Sequence, residues 1–343
     1  MVKQFGRRRN RRFECHQDVA NVVCQGVMMG VWQLDWDYQK AHRGVPPDPY
    51  MKHWENCVID AADDDEVLQL QDRGTVIALV GLVKHRLDDD ISKIKDAICA
   101  HYDSVSKSTL KLSDQQAELA LSFATKLWLH ASPDLSTRGP SSFRLVIKAC
   151  LPERSDPNKI SGHLTNDFCA KHLWRKGGIR IVWTDEIEKH LTSHKGRTLH
   201  VFRNSSMLRA LQQDPNSDPF PDGFVSETLQ TLYLLFRPLD SKKARRNIRY
   251  MEKHLDADLE LAMGEYPNVD LQQYPYWHEQ LAEIQRMYDH KTPSGLVQWW
   301  FDRRDRVQWT TFWVAFLVLV LTVCFGIISS ITGIWQVYLA YRS

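Results

Sequence analysis

The sequence predicts an α-rich α+β cytosolic region, a helical layer plus a small α/β unit, followed by a single C-terminal transmembrane helix. Three observations predict it. No Asp, Glu, Lys, Arg or His occurs in the thirty-five residues between Arg306 and Arg342. Apolar residues recur at helical spacing between about residues 75 and 130. From about residue 140 to 240, segments rich in β-branched and aromatic residues interleave with helical ones.

Composition agrees with a folded chain. Of 343 residues, 43% are hydrophobic and 25% charged, which are globular and not disordered values. The net charge of +2 excludes a global field that would draw nucleic acid or acidic substrates. Seven cysteines (Cys15, Cys24, Cys57, Cys99, Cys150, Cys169 and Cys324) are scattered and form no C-x-x-C pair, so they read as reduced thiols and not as a disulfide framework or four-cysteine zinc site.

The elements follow in order. Residues 1–60 form a basic segment, a helix and a Pro-rich linker. "MVKQFGRRRNRRF" lacks the apolar core of a secretory signal. Its run Arg7–Arg12 reads as a solvated end, with contact to anionic lipid or nucleic acid as the alternative. A helix is expected over residues 17–38, and "GVPPDP" ends it because successive prolines cannot continue a helix.

Residues 61–139 are expected to be helical. "TVIALVGLVKHRL" is apolar but too short for a bilayer and reads as a core helix. "DISKIKDAICAHYDSV" places Ile91, Ile94, Ile98, Tyr102 and Val105 on one face. "LSDQQAELALSFATKLWLH" opens on a capping box, Ser113 with Gln116, and Leu119, Phe123 and Leu127 are expected to line its buried face.

Residues 140–240 read as a small α/β or α+β unit. "FRLVIKAC", "IRIVWT" and "TLHVFR" are expected strands. "TNDFCAKHLWRKGG" is an expected helix capped by Thr165 and stopped at Gly177–Gly178, and "DEIEKHL" a short helix capped by Asp185 with Glu188. "SETLQTLYLLF" reads as a buried helix. Residues 241–306 hold amphipathic helices and a juxtamembrane segment: "KKARRNIRYMEKHLDADLELAM", basic then acidic, and "YWHEQLAEIQRMYDH", with Trp277, Leu281, Ile284 and Tyr288 on one side.

Residues 307–335 form the expected transmembrane helix and 336–343 a short far-side tail. A hydrocarbon core about 30 Å thick needs about 20 helical residues, and lipid forces a single span to be helical. Trp309, Trp313, Phe316, Leu319, Leu321, Phe325, Ile328, Ile331 and Trp335 are the expected anchor contacts, with tryptophans at both edges where indole favours the lipid–water boundary. Arg303, Arg304 and Arg306 precede the span and only Arg342 follows it, so the positive-inside bias leaves the large N-terminal part in the cytosol. This is a single-pass, tail-anchored layout, and the sparse charge beyond the span favours the endoplasmic reticulum over the mitochondrial outer membrane. Gly326 and Ser330, then Ser329 and Gly333, are spaced four apart and allow weak helix–helix association.

Chemistry-bearing motifs are few. His190, His194 and His200 have the H-x-x-x-H…H spacing of a zinc hydrolase. The glutamate needed beside the first histidine to deprotonate a metal-bound water is absent; Leu191 stands there. His200 also falls in an expected strand. Asp63–Asp65 and Asp88–Asp90 are cation candidates, but acidic runs at helix starts also answer the helix dipole. No phosphate-cradling glycine loop or elbow serine is present. No catalytic or cofactor residue is assigned, no cofactor is expected, and the three histidines stay the metal candidates.

Several stretches, "LSDQQAELALSFATKLWL", "GIRIVWTDEIEKHL", "FPDGFVSETLQTLYLLF", "YPYWHEQLAEIQRMYD" and above all "QWWFDRRDRVQWTTFWVAFLVLVLTVCFGIISSITGIWQVYLAY", resemble a large family of uncharacterised proteins from filamentous fungi. The resemblance covers about residues 75 to 342. It implies a fungal source and a membrane location, and it carries no activity. The expected function is that of a non-enzymatic interaction or scaffold protein, facing the cytosol, whose partners are the bilayer and unknown cytosolic proteins. A membrane-tethered enzyme, or a lipid or nucleic-acid contact through Arg7–Arg12, is the alternative.

Overall fold

The computed structural model describes residues 27, 30–32, 53–54, 56–57, 73–105, 112–135, 142–166, 168–213, 218–236, 269–290 and 306–342. The expected helices over 17–38 and 242–263, the Arg7–Arg12 run, Asp63–Asp65, Arg303 and Arg304 lie outside or largely outside these residues.

Three helices form the first layer: α1 (Arg73–Lys84), α2 (Ile91–Val105) and α3 (Asp114–Leu129). α1 buries Val76, Leu79, Val80 and Val83, as a core helix does, and α2 buries Ile94, Ile98 and Tyr102 of its expected face while Ile91 is half-buried. The capping box of α3 is present: Gln116 N donates to Ser113 Oγ at 3.2 Å, and Ser113 N donates to Gln116 Oε1 at 2.9 Å. Its buried face differs from expectation. Ala117, Ala120, Leu121, Ala124, Leu127 and Trp128 are buried, while Leu119 is 42% exposed and Phe123 half-buried. α3 packs against both α1 and α2, so its core face turns towards the alanines, whose small side chains admit two neighbours.

"FRLVIKAC" is a helix, α4 (Phe143–Ala149), and not a strand. Phe143, Val146 and Ile147 are buried while Leu145 is 56% exposed, a period near 3.6 that the β-branched residues disguise. Its start is tied to the α1–α2 connection by Phe143 N to Asp89 O at 2.9 Å and Arg144 N to Leu87 O at 2.8 Å. Asp88 pairs with Arg144, Asp89 with Arg86, and the Asp90 carbonyl accepts the Ile94 amide, so this acidic run serves the turn.

α5 (Ala170–Arg175) starts later than expected. Thr165 does not cap it; its amide and hydroxyl both donate to Gln285 Oε1. The glycine pair does stop the helix. Gly178 takes a left-handed φ of 60°. A Cβ on Gly177 would stand 2.8 Å from the Leu173 carbonyl and 3.0 Å from the Tyr288 ring, so that position admits no side chain.

A three-stranded sheet follows, in order β1 (Arg180–Thr184), β3 (Thr198–Phe202), β2 (Ser193–His194). β1 runs parallel to β3, with Arg180 opposite Thr198 and Thr184 opposite Phe202. β2 and β3 form a hairpin across Lys195 and Gly196, both at positive φ, as its tight turn demands. The expected "DEIEKHL" helix is only a 3₁₀ turn, Ile187–Lys189, with no side-chain cap. Glu188 instead accepts the Ser132 amide, and Asp185 is used elsewhere.

α6 (Ser205–Gln213) and α7 (Phe224–Phe236) pack together, and α8 (His278–His290) packs beside the 3₁₀ turn Leu271–Gln273. Trp277, Leu281, Ile284 and Tyr288 are buried together, as their spacing predicts. One continuous hydrophobic core runs from Val27 to Tyr288, taking side chains from α1 to α8 and the sheet. The described residues are thus helix-rich with one small sheet. Cys57 and Cys169 are buried, Cys99 and Cys150 are half-buried, and Cys324 is exposed.

Glu227 on α7 is buried, and its Oε1 accepts the amides of Tyr276 and Trp277, both at 2.8 Å, immediately before α8. These are donors that a helix start leaves open. Among the described residues, one helix is long and apolar enough to cross a membrane, α9 (Arg306–Arg342), and its window Thr310–Arg342 is not buried against the body.

Burial lifts the Glu227 carboxyl to about 7, against the pull of the two amides and of Arg154. In the unfolded chain the same group ionises near 4.5. Between those values the folded state therefore holds more protons, and its stability falls as pH rises, by about 3 kcal/mol in all. We expect Glu227→Gln to flatten that slope in unfolding titrations between pH 5 and 7.5, and Glu227→Ala to cost about 1–3 kcal/mol by stranding both amides. An unchanged slope in the glutamine variant would refute the assignment.

Candidate functional site

The parallel register builds the site. With Thr184 beside Phe202, the two strands leave the sheet at the same edge. The next residues are Asp185 on one side and Arg203–Asn204 on the other. Such carboxyl ends of adjacent parallel strands are where α/β folds gather polar groups. The Asp185 carboxylate accepts Arg203 Nε and Nη2, each at 2.6 Å, and Asn204 Nδ2 at 2.9 Å. The fork is bidentate, the strongest form of this pair.

His130 closes the cluster from the end of α3. It takes a left-handed backbone, φ 55° and ψ 31°, which costs a non-glycine residue roughly 1–2 kcal/mol. Two bonds hold it there: Ile187 N donates to the His130 carbonyl at 2.9 Å, and His130 Nδ1 lies 3.0 Å from the Asp185 carbonyl. A carbonyl only accepts, so Nδ1 carries the proton and Nε2 the lone pair. Asn204 Nδ2 lies 3.3 Å from the same nitrogen, but its shorter contact is with the carboxylate.

His53 enters from a distant segment and is also buried. Its Nε2 is 3.2 Å from the Lys126 carbonyl, and its ring stands 3.9 Å from the His130 ring, tilted by 34°. Cys57 Sγ lies 3.3 Å from Nε2 and 3.8 Å from Nδ1, while Nδ1 is 3.8 Å from Asp185 Oδ2. Burial works against a charged ring at His53, but the Asp185 carboxylate and the Cys57 sulfur outweigh it and hold the pKa up at about 9. Burial, with the neighbouring charge of His53, pushes His130 well below its ordinary value. Asp185 is held far below the usual carboxylate range: His53 and Arg203 overcome what burial alone would do.

The three histidines of the zinc-hydrolase spacing are not brought together. His190 is fully buried, its Nδ1 accepts the Phe202 amide at 3.1 Å, and its Nε2 therefore donates to Thr231 Oγ1 at 2.7 Å. Thr231 passes its hydrogen to the Thr228 carbonyl at 2.7 Å, and Thr228 Oγ1 accepts Trp277 Nε1 at 2.9 Å. Burial depresses His190 to about 3, so it stays neutral. His200 is half-buried on the strand face opposite Leu199 and Val201, and His194 is exposed. On a helix an H-x-x-x-H pair lies one turn apart on one face; here the segment is a 3₁₀ turn followed by extended chain, which separates the two along the backbone.

Among the described residues, the side chains that do converge are His53, His130 and Asp185, with ligand atoms within 4.8 Å of one another. Sequence reading singles out neither histidine and treats Asp185 as a cap. No spacing betrays them, since His130 and Asp185 are 55 residues apart. The signal that was available is a polar residue directly after each of two strands, Asp185 and Arg203. Comparison with family models, with curated proteins and with solved structures finds no match.

Removing one partner from the Asp185–Arg203 fork leaves a charge with little solvent, since the side chains are only 26% and 15% exposed. We expect Arg203→Gln to cost about 2–4 kcal/mol in chemical unfolding. Thr231→Val should cost about 1–3 kcal/mol by stranding His190. His194→Ala should stay within about 0.5 kcal/mol, as an exposed site does. A loss at His194 equal to that at Thr231 would contradict these placements.

Proposed function

We propose that the protein is a single-pass membrane protein that displays its α+β body on the cytosolic face of the endoplasmic reticulum and acts there as an interaction module, not an enzyme. The observation that carries the reading is α9. The window Thr310–Thr332 is uncharged, and at about 1.5 Å per residue it rises roughly 35 Å, enough for a hydrocarbon core of about 30 Å. Each central Leu, Ile, Val or Phe favours insertion by about 0.3–0.6 kcal/mol, and no charge sets its cost of about 2.5–3.5 kcal/mol against them.

The polar groups within α9 support the same reading. Thr322 Oγ1 donates to the Val318 carbonyl at 2.8 Å, Ser330 Oγ to Gly326 at 2.8 Å, and Thr332 Oγ1 to Ile328 and Ser329 at 3.0 and 2.9 Å. Each hydroxyl is thus satisfied inside the helix, as lipid requires. The arginines Arg303, Arg304 and Arg306 before the span support the cytosolic orientation. The interaction reading draws support from His190, the first histidine of the hydrolase spacing, which is committed at both nitrogens to structural partners. The resemblance to filamentous-fungal membrane proteins belongs to the same proposal.

Two measurements test this. Full-length protein should stay in the pellet after carbonate washing, while a chain truncated after Arg306 should not. A glycosylation acceptor appended after Ser343 should be modified in microsomes, and protease added outside should digest the body. Carbonate-soluble full-length protein would overturn the anchor; an unmodified acceptor with a protected body would reverse the orientation.

A further inference from the structure

We propose that His53, His130 and Asp185, with Cys57 as fourth ligand, form a structural binding site for one zinc-class divalent ion. The four residues come from separate parts of the chain: the segment around 53–57, the end of α3 and the end of β1. None belongs to the histidine trio that the sequence suggested.

The donor chemistry fits. Imidazole, carboxylate and thiolate are the ligands zinc takes in closed four-coordinate sites. The outer partners also fit, because a metal-bound histidine donates its second nitrogen to a carbonyl or carboxylate. His130 Nδ1 faces the Asp185 carbonyl at 3.0 Å, which presents Nε2 as the ligand atom. His53 Nε2 faces the Lys126 carbonyl at 3.2 Å, which presents Nδ1. The Asp185 carboxylate is itself oriented by Arg203 and Asn204. Oδ1 is taken by Arg203 Nε and Asn204 Nδ2, while Oδ2 accepts Arg203 Nη2 and keeps a further lone pair.

The spacing separates an ion from a proton. His53 Nδ1 and Asp185 Oδ2 are 3.8 Å apart, too long for a hydrogen bond. Cys57 Sγ is 3.3 Å from His53 Nε2 and 3.8 Å from Nδ1, so it joins the ion only by turning towards Nδ1. Two ligands of a tetrahedral zinc ion stand roughly 3.4–3.6 Å apart, given bonds of about 2.0–2.3 Å. One adjustment is required. The imidazole centroids, now 3.9 Å apart, must open to about 5 Å on a tetrahedral ion. A shift of about 1 Å in the segment carrying His53 and Cys57 supplies it, with the Cys57 proton leaving to solvent as the thiolate binds.

The ion's effect would be to staple that segment to α3 and β1. The test uses full-length protein in detergent, stripped with chelator and titrated with Zn²⁺ and separately with Co²⁺. We expect one equivalent of zinc retained after desalting, a raised unfolding temperature, and visible cobalt bands of the tetrahedral type with a thiolate charge-transfer band. Cys57→Ser should remove the charge-transfer band, His130→Gln should abolish retention, and His194→Ala and His200→Ala should change neither. Wild-type protein that retains less than about a tenth of an equivalent and gives no cobalt bands overturns the site, whatever the variants do. Retention lost in His194→Ala or His200→Ala but kept in His130→Gln overturns it equally.

Discussion

The parallel pairing of β1 with β3 is the constraint on which the rest of the body depends. It is a pairing of only five residues a side, yet it decides where three chain directions meet. Because Thr184 lies beside Phe202, Asp185 and Arg203 emerge together and form their fork without either needing a long search. The Phe202 amide is then directed at His190, and the Asp185 carbonyl at His130. A slip of one residue in that register would turn each strand's side chains to the other face. It would strand a carboxylate, a guanidinium and two imidazoles in the interior.

A second set of bonds transmits this order to the far side of the core. α7 carries Thr228, Thr231 and Glu227 on its buried side, an unusual load for a helix packed in a core. Each has a task. Thr231 receives His190 from the end of the 3₁₀ turn, Thr228 receives the Trp277 indole, and Glu227 receives the two amides that precede α8. Buried polar groups are costly alone and specific when all are satisfied. Here they set the register of α8 against α7 more sharply than Leu281 and Ile284 could, since apolar contacts tolerate sliding.

α9 follows different rules, and they are compatible with a membrane anchor. The body buries its Trp, Tyr and Leu side chains in one core, whereas α9 leaves Phe316, Leu319, Phe325 and Ile328 uncovered by the rest of the chain. In water that exposure would oppose folding; in lipid it is the natural state of a span. The same logic explains why its hydroxyls turn back onto their own helix. The body solves the polar problem with long-range partners, and α9 solves it locally.

By itself the sequence determined whatever depends on neighbours in the chain. The uncharged run determined α9, and the i, i+3, i+4 spacing determined the buried faces of α2 and α8. Ser113 with Gln116 determined the start of α3, and the β-branched runs determined β1 and β3. Tertiary structure decided the rest. Residues 143–149 carry β-branched side chains but become a helix, because their amides find Asp89 and Leu87 on the preceding turn. α3 buries alanines in place of Leu119 because two helices crowd it. Asp185 became the partner of Arg203 and not a cap, and His53 met His130, only because a parallel strand pair and a helix end converge on one place. Contacts across 50 residues or more leave no period in a sequence. They exist only once chain entropy has been overcome by a common core.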